Sequence, residues 1–170
     1  GSSDVALVAV WLQRPEVNAT LNSLTVDSTG DTQDEDGDWN NGGPKPYTLT
    51  AGEEKIDLSN KNLGSADVAL LTAWLQRPEV TATLASLAIG TNPIGSEGGA
   101  ALVEAIKTSN LKTIDIGKPL PLQELYESDT ADFADSGMGA GQVVILSWWL
   151  TTPFAATVVD LNISMNPIGV

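Results

Sequence analysis

The chain has 170 residues, 42% of them hydrophobic, enough to bury a sizeable core and too many for a disordered segment. Against 22 Asp and Glu stand only 8 Lys and Arg, a formal charge of −14 that repels phosphate backbones and anionic headgroups and excludes nucleic acid as an expected partner. Cysteine and histidine are both absent, which removes the thiolate nucleophile, the commonest metal ligands and the usual neutral-pH general base, and argues against an enzyme.

The first predicted element is a helix. Val5, Val8, Trp11 and Leu12 lie at i, i+3, i+6 and i+7, one apolar face, and Pro15 is placed to stop it. The alternating Leu24-Thr25-Val26 then reads as a short strand. An acidic insertion, about residues 27–52, follows where a helix is expected. Within it Asp31, Asp34, Asp36 and Asp38, set among Gly and Asn, form a candidate calcium loop, because calcium takes oxygen ligands on flexible backbone. The match to an EF-hand is poor: Thr32 would stand first, and Gly43 would stand where the bidentate Glu belongs. A solvated acidic loop is the other reading of the same residues.

The pattern then resumes with a strand at Ile56-Asp57-Leu58 and a helix through Val68, Leu71, Trp74 and Leu75, with Ser65 as N-cap and Pro78 as stop. Leu87-Ala88-Ile89 is the next strand, Ser96 caps the next helix, and Ile114-Asp115-Ile116 is a further strand. A second insertion, about residues 117–137, interleaves Glu124, Glu127, Asp129, Asp132 and Asp135 with Leu122, Leu125, Tyr126 and Phe133. Those apolar residues either fold it back onto the domain or contact a neighbour. A helix through Val143, Leu146, Trp149 and Leu150, stopped at Pro153, leads to the last strand, Leu161-Asn162-Ile163. No apolar run reaches membrane-spanning length, so no membrane insertion is expected.

Aligned with itself, the chain repeats. Asp4-Val5-Ala6-Leu7 returns as Asp67-Val68-Ala69-Leu70, and Trp11-Leu12-Gln13-Arg14-Pro15-Glu16-Val17 as Trp74-Leu75-Gln76-Arg77-Pro78-Glu79-Val80, 63 residues on. A weaker third copy runs through Trp149-Leu150-Thr151-Thr152-Pro153 and Leu161-Asn162-Ile163. Trp11, Trp74 and Trp149 hold equivalent helix positions and are expected to be buried alike.

Leu87-Ala88-Ile89-Gly90-Thr91-Asn92-Pro93-Ile94-Gly95 and Leu161-Asn162-Ile163-Ser164-Met165-Asn166-Pro167-Ile168-Gly169 resemble the leucine-rich repeat in its ribonuclease-inhibitor-like form. That resemblance implies an α/β leucine-rich-repeat solenoid over residues 1–170, with parallel concave strands, convex helices and the two insertions as loops. It also implies that the Asn side chains bond turn backbone in a ladder, broken at Lys61 and Pro119.

On such strands the middle residues face outward, so Asp57, Asp115 and Asn162, flanked by Asp160, are the candidate partner-binding residues of an acidic face. Asp57 and Asp115 are the only paired carboxylates there, about 10 Å apart across an intervening strand, and no nucleophile or phosphate loop accompanies them. If the two ends are joined, Asn166 through Gly169 run on into the helix at Asp4 much as Asn62-Leu63-Gly64 run on to Asp67. The expectation is a non-enzymatic structural or scaffold unit that assembles in tandem or head to tail with copies of itself as a filament, sheath or scaffold. The alternative is a recognition module that binds another protein through the acidic face or the insertions. No cofactor is expected apart from the candidate calcium ion. The start, Gly1-Ser2-Ser3-Asp4, has no signal-peptide character, and the compartment stays open, an extracellular or cell-surface setting being preferred to the cytoplasm. Asn18-Ala19-Thr20 and Asn162-Ile163-Ser164 match the N-glycosylation pattern.

Overall fold

The computed structural model describes residues 1–18 and 20–169; the sequon at Asn18-Ala19-Thr20 lies partly outside the described residues. In chain order the elements are α1 (Ser2–Leu12), α2 (Pro15–Asn18), β1 (Ser23–Asp27), β2 (Pro46–Thr50), β3 (Lys55–Asp57), α3 (Ser65–Leu75), α4 (Pro78–Thr81) and β4 (Ser86–Ala88). Then come α5 (Gly95–Lys107), β5 (Thr113–Asp115), β6 (Pro119–Pro121), β7 (Thr130–Asp132), α6 (Ala140–Trp149), a 3-10 turn at Pro153–Ala155 and β8 (Asp160–Asn162).

The architecture corrects the solenoid expectation. The described residues form a small mixed α/β domain with three separate small sheets and six α-helices, and no solenoid of parallel strands. Parallel order is confined to β3, β4 and β5, paired Ile56 to Leu87 and Leu87 to Ile114, and to the separate pair β7 and β8. The insertions explain the break. The acidic insertion supplies β2, which binds β1 antiparallel as a hairpin, Leu24 opposite Leu49, so β1 does not extend the β3 edge. The second insertion supplies β6, which takes the open edge of β5 antiparallel, Ile114 opposite Leu120. Pro119 and Pro121 lack N–H groups, so β6 terminates that sheet. The same insertion supplies β7, on which β8 pairs instead of on β5. Both insertions are thus structural parts of the sheets rather than loops added to one.

Helices α1, α3, α5 and α6 lie side by side in that order. One continuous apolar cluster runs from Val5 and Leu12 through Trp74, Leu87 and Ile114 to Phe133 and Trp149. Phe133 and Ala131 are fully buried, and Tyr126 meets Trp149 edge to face at 5.5 Å, so the second insertion folds back into the core. Close approach of α5 and α6 depends on glycine: a Cβ on Gly99 would sit 2.3 Å from the Gly141 carbonyl oxygen. The prolines expected to stop helices also start new turns. Pro15 and Pro78 open α2 and α4, and Pro153 opens the 3-10 turn, positions where the missing N–H costs nothing. The cap of α3 is Gly64 rather than Ser65, and α5 starts at Gly95, one residue ahead of Ser96.

Candidate protein-interaction surface

The polar node that joins the first part of the chain to the second is Asp67, a residue the periodicity did not single out. Third in α3 and 1% exposed, it accepts from Gly64 N, Thr29 N, Thr29 Oγ1 and the Tyr47 hydroxyl at 2.7–2.9 Å. Burial, the neighbouring Asp67 carboxylate and the hydrogen bond to it together push the Tyr47 phenol far above its ordinary pKa, so it stays a donor at every working pH. A sequence signal did exist: an acidic residue three positions after a helix cap returns a bond to the cap's backbone N–H, here Gly64 N to Asp67. In α6 Gln142 holds the equivalent place, accepting from Gly139 N and donating to the Asn92 carbonyl at 2.8 Å.

Asn92 and Asn166 secure the turns. Asn92 Oδ1 accepts from Lys61 N and Leu63 N while its Nδ2 donates to Leu58 O and Ile89 O; Asn166 makes the matching set with Ser136 N, Met138 N, Phe133 O and Ile163 O. Asn62 donates to the Asn41 and Gly43 carbonyls and so ties the acidic loop to the turn after β3.

The strand-end side chains proposed from sequence each spend one oxygen on their own turn. Asp57 Oδ1 accepts from Ser59 N, Asp115 Oδ1 from Gly117 N, and Asn162 Oδ1 from Ser164 N, each two residues on; Asp132 does the same with Ala134 N. The backbone and hydroxyl of Ser59 hold the Asp57 carboxyl below its usual range against slight desolvation, with help from Lys55 and Lys61. Asp57 and Asp115 lie on the same sheet, in register either side of Ala88, whereas Asp160 and Asn162 belong to the separate β7 and β8 pair. The four are thus shared between two hydrogen-bonded sheets.

In the acidic loop Asp31 is turned inward. Its carboxylate accepts from Thr32 N, Asn41 N and Gly43 N, at 2.7 Å for the last, and from the Asn41 amide. Desolvation pulls its pKa up, but these donors together outweigh it and leave it below the ordinary carboxylate value. Asp34 Oδ1 accepts from Asp36 N and Asp38 N. Among the described residues no group of three or more carboxylates is arranged to hold a metal ion, so Asp31, Asp34, Asp36 and Asp38 are not brought together as a calcium cage.

Beside its many carboxylates the surface exposes several large apolar side chains. On α1, Leu7 is 68% exposed, Val10 64% and Trp11 42%, while the equivalent Leu70, Ala73 and Trp74 of α3 are buried. Burial of Trp11, expected from the repeat, is thus corrected: among the described residues α1 packs beside α3, while α3 lies between α1 and α5. Around the last strand Val159 is 80% exposed, Leu161 41% and Met165 79%, and every residue of β8 is exposed. No helix among the described residues is long and apolar enough to cross a membrane. No family model matches the chain, and no curated protein is significantly similar to it.

Proposed function

We propose that this protein is a non-enzymatic scaffold unit that works by associating with copies of itself. The observation that carries this reading is the exposed face of α1: Leu7, Val10 and Trp11 form a contiguous helical stripe whose identical or near-identical counterpart on α3 is buried. Fully burying side chains of that size is worth roughly 1.5–3 kcal/mol each, so covering what is exposed of the three favours association. The second exposed apolar patch, at Val159, Leu161 and Met165, lies at the other end of the chain's element order and gives a unit two different faces, the requirement for a linear array. A recognition module using Asp57, Asp115, Asn162 and Asp160 is less well supported, since the first three use side-chain oxygens on their own turns.

Negative-stain imaging at high protein concentration tests the reading. Linear particles built from 17.7-kDa units are expected. Uniform particles of one chain at every concentration would rule it out.

A further inference from the structure

The second copy of the repeat shows how the first is to be covered. Arg77 follows α3, is 1% exposed, places its guanidinium 4.3 Å from the Trp74 ring centre, and pairs with Glu79. It also donates to the carbonyl of Leu21, which belongs to the preceding copy. Thr29 and Tyr47, which bond Asp67, also come from that preceding part of the chain. The junction between copies therefore has a fixed set of groups: an Asp near the helix start, a Trp at its end, and an Arg that stacks on the Trp and reaches back to a carbonyl three residues before a strand Leu.

The first copy carries the helix-side members of this set at Asp4, Trp11, Arg14 and Glu16, and there Asp4, Arg14 and Glu16 are all exposed. The carbonyl that receives the Arg has a counterpart near the other end. Three residues before Leu161 stands Val158, as Leu21 stands three before Leu24; Val158 N bonds the Ala155 carbonyl much as Leu21 N bonds that of Val17.

Resting on the self-association reading, the geometry points to a head-to-tail junction in which α1 of one copy docks on the segment of a second copy around Val158 to Met165. Arg14 is its positioning residue: it stacks on Trp11 and donates to the Val158 carbonyl of the second copy. The occupant is a second copy of this chain because Trp11, Arg14 and Glu16 repeat Trp74, Arg77 and Glu79, of which Arg77 meets the Leu21 carbonyl, and Val158 offers a carbonyl in the matching place. The contact is heterologous, and repeated it gives a chain of units.

The protein contains no cysteine, so engineered thiols report the contact without background. Val10→Cys and Val159→Cys chains are prepared separately, mixed and treated with a short bis-maleimide; Val10→Cys keeps the face intact because the covered counterpart is the small Ala73. Cross-linking between the two variants, with little product from either alone, is the expected result. Product from Val10→Cys alone would show a symmetric α1-to-α1 contact and overturn the head-to-tail junction while leaving self-association standing. No product together with a monomeric mass would overturn both. Arg14→Ala is expected to weaken association about tenfold or more, as loss of a charged hydrogen bond does, with Arg14→Lys recovering only part because ammonium does not stack as guanidinium does. Unchanged association in Arg14→Ala, with unchanged circular dichroism, would remove Arg14 from the junction.

Discussion

Helices α1 and α3 carry nearly the same sequence and meet different surroundings. Trp74 is fully buried under Arg77, whereas Trp11 is 42% exposed. The Asp67 carboxylate is enclosed by four donors, whereas the Asp4 carboxylate accepts only from the Gly1 nitrogen among the described contacts. Sequence sets what a face can bury, and the neighbour in space decides whether it does. The comparison can be broken by treating the two copies alike in mutagenesis, since equal substitutions should have unequal effects.

The largest difference is expected at the tryptophans. Trp74→Ala should cost about 3–5 kcal/mol, the range for emptying an aromatic site in a packed core. Trp11→Ala in dilute, monomeric protein should cost less than about 1 kcal/mol, as surface changes do; urea unfolding of both variants measures the gap. Next is Asp67→Ala, which strands buried N–H and hydroxyl donors and should cost about 3 kcal/mol, while Asp4→Ala leaves monomer stability unchanged. Asp67→Asn should recover part of the loss, since an amide oxygen still accepts. A smaller effect sharpens the account of the helix row: Gly99→Ala forces α5 away from Gly141 and should cost roughly 1–3 kcal/mol, detectable as a lower melting temperature.

The smallest effect is the response to acid. The Asp31 and Asp57 carboxyls lie below their ordinary values, so each stabilises the fold fully above the unfolded-state value near 4, and that contribution is lost as pH falls through the lower folded-state value. Thermal melts should therefore be flat in these groups' contribution from about pH 5 to 7 and fall below about pH 4. Asp31→Asn should flatten the acid limb, and an identical limb in that variant would assign the acid response elsewhere.

Much of the element order was legible in the sequence. Periodicity located the long helices and the five strands to within a residue or so because each segment alternates apolar and polar positions with the right spacing. What it could not supply was pairing. Leu24-Thr25-Val26 has the same pattern whether its neighbour is β3 or β2, and the resemblance to a repeat family favoured the first when the chain forms the second. The prolines at 119 and 121 were the available clue that a strand there ends a sheet. Likewise Asp57 and Asp115 read as a free acidic face because a side chain's bond to its own turn leaves no mark on hydrophobic periodicity, although Asx turns after a strand are a known alternative. The acidic loop is a related case: composition counts carboxylates, whereas the direction of Asp31, toward its own backbone, is set by the folded loop.

The central claim is that the exposed face of α1 is an assembly surface. Sedimentation velocity of the chain and of Trp11→Glu, from low to high micromolar concentration, tests it most directly. The account predicts that the weight-average sedimentation coefficient of the unaltered chain rises with concentration while Trp11→Glu stays at the value of a single 17.7-kDa chain. A concentration-independent monomer for the unaltered chain, or equal association by both, would contradict it.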